Sequence, residues 1–159
     1  MNGTIAANRL KVEFKDINKN PKLKLELVEN QSNICYVYFK GEDNTLYENE
    51  KFKLKFEFDD NYPIQKPSVI FVDNIPINPF VFSNGLICLN ILDTDWSPIL
   101  TISSVTLSIL SMLSGTKEKR KPVNDELICK RGINNFNQGK WTHHYVNVWI
   151  IKIKESDYY

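Results

Sequence analysis

The chain has 159 residues, 42% of them hydrophobic and 12% aromatic, enough apolar material for one sizeable core. Its 20 Lys and Arg against 19 Asp and Glu leave a formal charge of +1, so no chain-wide field argues for nucleic acid or for an anionic membrane surface. Cys35, Cys88 and Cys129 are odd in number and far apart, which fits reduced thiols; the N-terminal MNGTIAANRLKVEFKD lacks a signal-peptide core, no window nears the roughly 20 apolar residues of a membrane span, and a cytoplasmic or nuclear setting is expected.

From Asn8 to Lys19, Leu10, Phe14 and Ile17 recur at i, i+4 and i+7 among charged residues, which predicts an amphipathic surface helix ended by Pro21. Leu23, Leu25 and Leu27 alternate with Lys22, Lys24 and Glu26, and Ile34 to Phe39 is β-branched and aromatic, so two strands follow. After the turn residues Gly41-Glu42-Asp43-Asn44, KFKLKFEF at 51–58 puts Phe52, Leu54, Phe56 and Phe58 on one face, with charges on the other. A fourth strand at Val69–Val72 completes an antiparallel meander, with helices expected on one face only. Pro76, Pro79, Gly85 and Pro98 break the stretch from 73 to 98 into an ordered, packed loop. Thr101 caps a buried helix carrying Ile102, Val105, Ile109, Met112 and Leu113, and Gly115 ends it.

Beyond that helix, Lys117 to Lys121 is a basic run closed by Pro122; with no interleaved aromatics it reads as a solvated loop sooner than a phosphate or acidic-partner site. The rest, 124–159, has weak periodicity apart from VNVWIIKIK at 146–154, which packs on the domain, pairs as an edge strand or meets another chain, a homodimer included. No internal repeat or second-domain linker is present, and His143-His144 has no neighbours at metal-ligand spacing, so no metal site is expected. Cys35 and Cys129 read as structural, and on composition alone so does Cys88 in SNGLICLNIL, which offers it neither a base nor a cation.

Tyr62-Pro63, Lys66-Pro67, Ser83-Asn84-Gly85 with Ile87-Cys88-Leu89, Trp96-Ser97-Pro98 and Leu100-Thr101-Ile102-Ser103 together resemble, in order and spacing, the signature of the ubiquitin-conjugating enzyme family. The resemblance spans about residues 8–123, giving a catalytic core at 1–123 and a divergent tail at 124–159 in an α+β fold. Within the family, LYENEKF at 46–52, SNGLICLNIL with DWSP, and LSILSMLSGTKEKRKP at 107–122 are most similar to the W-type members, which transfer ubiquitin to protein N-termini. The resemblance implies that Cys88 accepts ubiquitin as a thioester from an ATP-using activating enzyme and passes it to an amine, with no cofactor of its own. It also implies RING or U-box ligase docking at Ile64, Ser97, Pro98 and Ile99, activating-enzyme contact through Arg9 and Lys11, and protein substrates as acceptors.

Two positions depart from the family pattern. Where typical members have His-Pro-Asn, with the asparagine ordering the loop and stabilising the oxyanion, this chain has Asn78-Pro79-Phe80, leaving Asn84 and local backbone N–H groups as candidate support. Where an acidic residue follows the second helix, this chain has Gly115-Thr116-Lys117, and no carboxylate before Glu118. Both departures fit an enzyme of α-amines, since at pH 7.4 an α-amino group is about a quarter neutral and a lysine only about one part in a thousand. They also leave open a catalytically weak or inactive adaptor of the same fold, and no residue excludes a carrier of a ubiquitin-like modifier.

Overall fold

The computed structural model describes residues 5–137, with side chains described through Arg131. Among these residues the order is α1 (Ile5–Ile17), β1 (Lys24–Val28), β2 (Gln31–Lys40), β3 (Lys51–Glu57), β4 (Ser68–Val72), a 3-10 turn at Asn90–Leu92, α2 (Ile102–Gly115) and α3 (Asp125–Asn137). The sheet is an antiparallel meander in the order β1-β2-β3-β4.

Strand alternation sets the layers. Cys35, Val37 and Phe39 of β2 face the same side as Phe52, Leu54 and Phe56 of β3 and Val69 and Phe71 of β4, and all are buried. The buried stripes of α1 (Ala6, Leu10, Ile17) and α2 (Ile102, Val105, Ile109, Leu113) join the same core cluster, so the helices cover one face as the pattern implies. On the other face Lys53 reaches over the rings of Tyr36 and Tyr38, 4.3 and 5.3 Å from their centroids. Leu27 departs from the simple alternation: it lies opposite buried Cys35 but is exposed, because β1 is the edge strand and its register shifts between Leu27 and Val28.

Helix ends follow local chemistry. Thr101 forms a reciprocal capping box with Ser104, the Ser104 N–H donating to Thr101 Oγ1 (3.1 Å) and the Thr101 N–H to Ser104 Oγ (2.8 Å). Helix α1 begins at Ile5, three residues before the sequence pattern starts, and stops at Ile17, ahead of the turn residues that precede Pro21. Helix α3 forms where the sequence carries only weak periodicity; its Ile128 is buried against Phe82 and Leu86. The segment 138–159, with VNVWIIKIK and His143-His144, lies outside the described residues.

Candidate active site

Cys88 sits on a small antiparallel ladder. Val81 bridges Ile87, the Phe82 N–H donates to Leu86 O at 2.9 Å, and the Cys88 N–H donates to Phe80 O at 2.8 Å. This register sets Phe82 across from Leu86 on one face, while Val81 and Ile87 point into the main core, and Phe80, in the 78–81 turn at the ladder's end, is joined to Cys88 through its carbonyl. Phe82 and Leu86 are sealed by Ile128 of α3, and half-buried Cys88 packs against that cluster along with Ile70 and Cys129. The other end of the face is open, and Phe80 is 48% exposed there.

Each residue of the Ser83-Asn84-Gly85 turn has a holding role. The Ser83 N–H and hydroxyl donate to the two oxygens of Asp125 at the start of α3 (2.7 and 2.6 Å). Despite its burial, those bonds hold the Asp125 carboxyl below its ordinary range. Asn84 Oδ1 accepts from the Leu86 N–H at 3.2 Å, which places Asn84 in support of the turn. Gly85 has φ +88°, and a Cβ there would come within 2.1 Å of Phe71 O, so only glycine lets the turn lie against β4.

The preceding loop is braced by Asn78, which is fully buried. Its Oδ1 accepts from the Phe80 N–H (2.8 Å), and its Nδ2 donates to the Tyr47 hydroxyl (3.0 Å) and to Thr116 Oγ1 just after α2 (2.8 Å). The amide of Asn78 thus orders this loop by joining it to Tyr47 and to the end of α2. The Cys88 N–H and Phe80 N–H are both engaged, to Phe80 O and Asn78 Oδ1, so two of the backbone donors nearest the nucleophile are already committed. Glu118, the first carboxylate after α2, is bonded to Arg120 at 2.6 Å.

The predicted ligase-facing residues are presented by two fastened loops. Ile64 is 79% exposed and Ile99 is 82% exposed, and the Trp96 indole N–H ties their loops together by donating to Pro63 O at 2.9 Å. Arg9 donates to Pro98 O (3.0 Å) and Leu100 O (3.2 Å), and its Nε pairs with Glu13. Glu13 is buried and also accepts from the Tyr62 hydroxyl (2.7 Å) and the Ile102 N–H at the start of α2 (2.8 Å). Burial, then the Glu13 charge and hydrogen bond, push the Tyr62 phenol well up. Arg9 is therefore part of an internal brace, whereas Lys11 on the same helix is exposed.

Glu13 and Asp125 were not singled out in the sequence, although Glu13 sits in the stripe Ala6, Leu10, Glu13, Ile17, where a charge among apolar positions marks a buried pair. Three of the four basic residues at 117–121 are matched internally: Lys119 pairs with Glu50, Arg120 with Glu118, and Lys121 with Asp125 (3.7 Å). Cys35 is wholly buried, and burial followed by the Glu13 charge pushes its thiol up to about 12. Among the described residues no group of three His, Cys, Asp or Glu is placed to hold a metal ion, and no helix is long and apolar enough to cross a membrane.

A family profile described as ubiquitin-conjugating enzyme matches residues 9–142. The chain is 42% identical to the probable ubiquitin-conjugating enzyme E2 W-A of Danio rerio over 141 residues, covering 86% of this chain and 93% of that protein. It is 42% identical to the probable ubiquitin-conjugating enzyme E2 W of Dictyostelium discoideum over 140 residues, 87% and 94% of the two chains. In structure it is similar to the conjugating enzyme UbcA1 of Agrocybe aegerita, with a TM-score of 0.75 at 31% identity over 80% of this chain and 95% of that one. A conjugating enzyme from Plasmodium falciparum aligns with a TM-score of 0.66 at 40% identity, over 69% of this chain and 99% of that one.

Proposed function

The chain belongs to the ubiquitin-conjugating enzyme family of ubiquitin transferases, and from that premise we propose that it carries ubiquitin as a thioester on Cys88 and delivers it to protein N-terminal α-amines. Family membership implies ubiquitin, an activating enzyme and a ligase as partners. In the transfer step the neutral amine attacks the thioester carbonyl, the C–N bond forms and the C–S bond breaks. Cys88 leaves as thiolate, and the proton shed by the nitrogen returns to it or to water.

The observation that carries the α-amine reading is the surroundings of Cys88. The residue whose carbonyl accepts from the Cys88 N–H is Phe80, which has no side-chain donor, and the end of α2 braced to this loop offers Thr116 in place of a carboxylate. A lysine needs help to lose its proton at neutral pH, and an α-amine needs far less. Ile64 with Ser97-Pro98-Ile99 forms the proposed RING or U-box surface, and Lys11 with Arg9 the proposed contact for the activating enzyme. A cytoplasmic or nuclear setting, where thiols stay reduced, goes with this reading.

Incubation with activating enzyme, ATP and ubiquitin should give a reductant-sensitive adduct that Cys88→Ala abolishes. The charged protein should then discharge faster at pH 7.4 onto an N-terminal peptide than onto lysine. Absence of an adduct would favour a non-catalytic adaptor, an adduct only with another modifier would favour that carrier role, and faster discharge to lysine would overturn the α-amine assignment.

A further inference from the structure

We propose that Phe80 is a specificity-determining residue that reads the first side chain of the acceptor, favouring N-termini that begin with a large apolar residue. This rests on the α-amine reading above and adds a substrate class to it.

The ladder supplies the geometry. Phe80 closes the 78–81 turn where the chain enters the ladder, and the Cys88 N–H donates to its carbonyl at 2.8 Å, so the two residues are main-chain neighbours. The Phe80 ring is also held in place. Its N–H is bonded to Asn78 Oδ1 and its carbonyl to the Cys88 N–H, so the backbone that aims the ring is fixed at both polar groups. Phe82, two residues further along, is covered by Ile128 and only 6% exposed. Phe80 has no such cover at 48% exposed, and an apolar ring is therefore offered to whatever approaches the nucleophile.

The chemistry of the acceptor decides what meets that ring. In attack the amine nitrogen comes within about 3–3.5 Å of the thioester carbonyl. For an N-terminal acceptor the carbon bonded to that nitrogen already bears the first residue's side chain, which brings the side chain within reach of an exposed ring on the residue hydrogen-bonded to Cys88. For a lysine that carbon is an unbranched CH₂, and the peptide lies four carbons further away. Phe80 can therefore gain a contact in the transition state from an α-amine acceptor with a Leu, Met or Phe first residue, and little from Gly, Ser or a lysine side chain. A contact of this size with an open ring discriminates by about tenfold, the lower end of what side-chain contacts in pockets give.

The test is single-turnover discharge of ubiquitin-charged full-length protein onto peptides beginning Leu, Gly or Ser, and onto Nα-acetyl-lysine, with rates compared per neutral amine among the peptides. Wild type should favour the Leu peptide by about tenfold, Phe80→Ala should use the three peptides within twofold of one another, and Phe80→Leu should keep an intermediate preference. Cys88 charging reports that each variant is folded, and if Phe80→Ala does not charge, Phe80→Leu decides. Equal rates in wild type, or an undiminished preference in the variant that charges, overturns the proposal while leaving the α-amine reading intact. Lysine faster than every peptide at pH 7.4, before any correction for neutral amine, overturns that reading and this inference together.

Discussion

Replacing Asn78 by alanine isolates the brace that holds the active-site loop. Tyr47 and Thr116 keep their own bonds to Ile77 O (2.7 Å) and Met112 O (2.9 Å), so the groups stranded are the Phe80 N–H and the space the carboxamide filled. A stranded N–H in a wholly dry site costs about 1–3 kcal/mol, and half-exposed Phe80 belongs in the lower half of that range. With the lost amide contacts and the small cavity the total is about 2–3 kcal/mol. For a chain of this length that lowers Tm by about 5–10 °C, at roughly 2–4 °C per kcal/mol. Urea unfolding should show a lower midpoint at unchanged slope. Thr116→Val in the same background should cost less than it does in wild type, because the Asn78 partner is already gone. Stability within about 0.5 kcal/mol of wild type, or strict additivity of the two changes, would refute the brace.

Gly85→Ala should lose more than about 3 kcal/mol or fail to fold, because positive φ strain adds to a methyl driven against Phe71 O at 2.1 Å; circular dichroism melting decides it. Trp96→Phe removes the indole bond to Pro63 O at a cost of about 1 kcal/mol, and should leave Cys88 charging near wild type while lowering the ratio of ligase-stimulated to unstimulated discharge. For Cys35 the fold favours the neutral thiol, so its contribution to stability is whole below the ordinary value of 9.0 and is lost as pH rises through about 12. Accordingly, in a Cys88→Ser, Cys129→Ser background, iodoacetamide at pH 8.5 should leave Cys35 unmodified until urea unfolds the chain, and alkylation of the native protein would contradict its burial.

Strict periodicity made the meander and the buried helix legible, since Phe52, Leu54 and Phe56 admit one buried face and Thr101-x-x-Ser104 one helix start. The Cys88 site was legible as a string of motifs but not as geometry, because the pairing of Val81 with Ile87 that brings Phe80 beside Cys88 depends on a turn type that Ser-Asn-Gly allows without dictating. Helix α3 escaped because its apolar positions are few, although Asn124 followed by Asp125-Glu126 just after Pro122 carries a start signal. Asn78 and Glu13 escaped for a different reason: a polar residue becomes a hub only when distant segments converge on it, and partners at 47, 62, 102 and 116 leave no local trace.

The two loops that present Ile64 and Ile99 are fastened at main-chain oxygens, Pro63 O by Trp96 and Pro98 O and Leu100 O by Arg9. A carbonyl oxygen is common to every amino acid, so these fastenings place no demand on the side chains at positions 64 and 99. Those two positions can drift during evolution while the loops keep their shape. Substitutions at these two proposed docking positions are therefore expected to be nearly neutral for stability, so the shape of the loops and the chemistry they display are set by different residues.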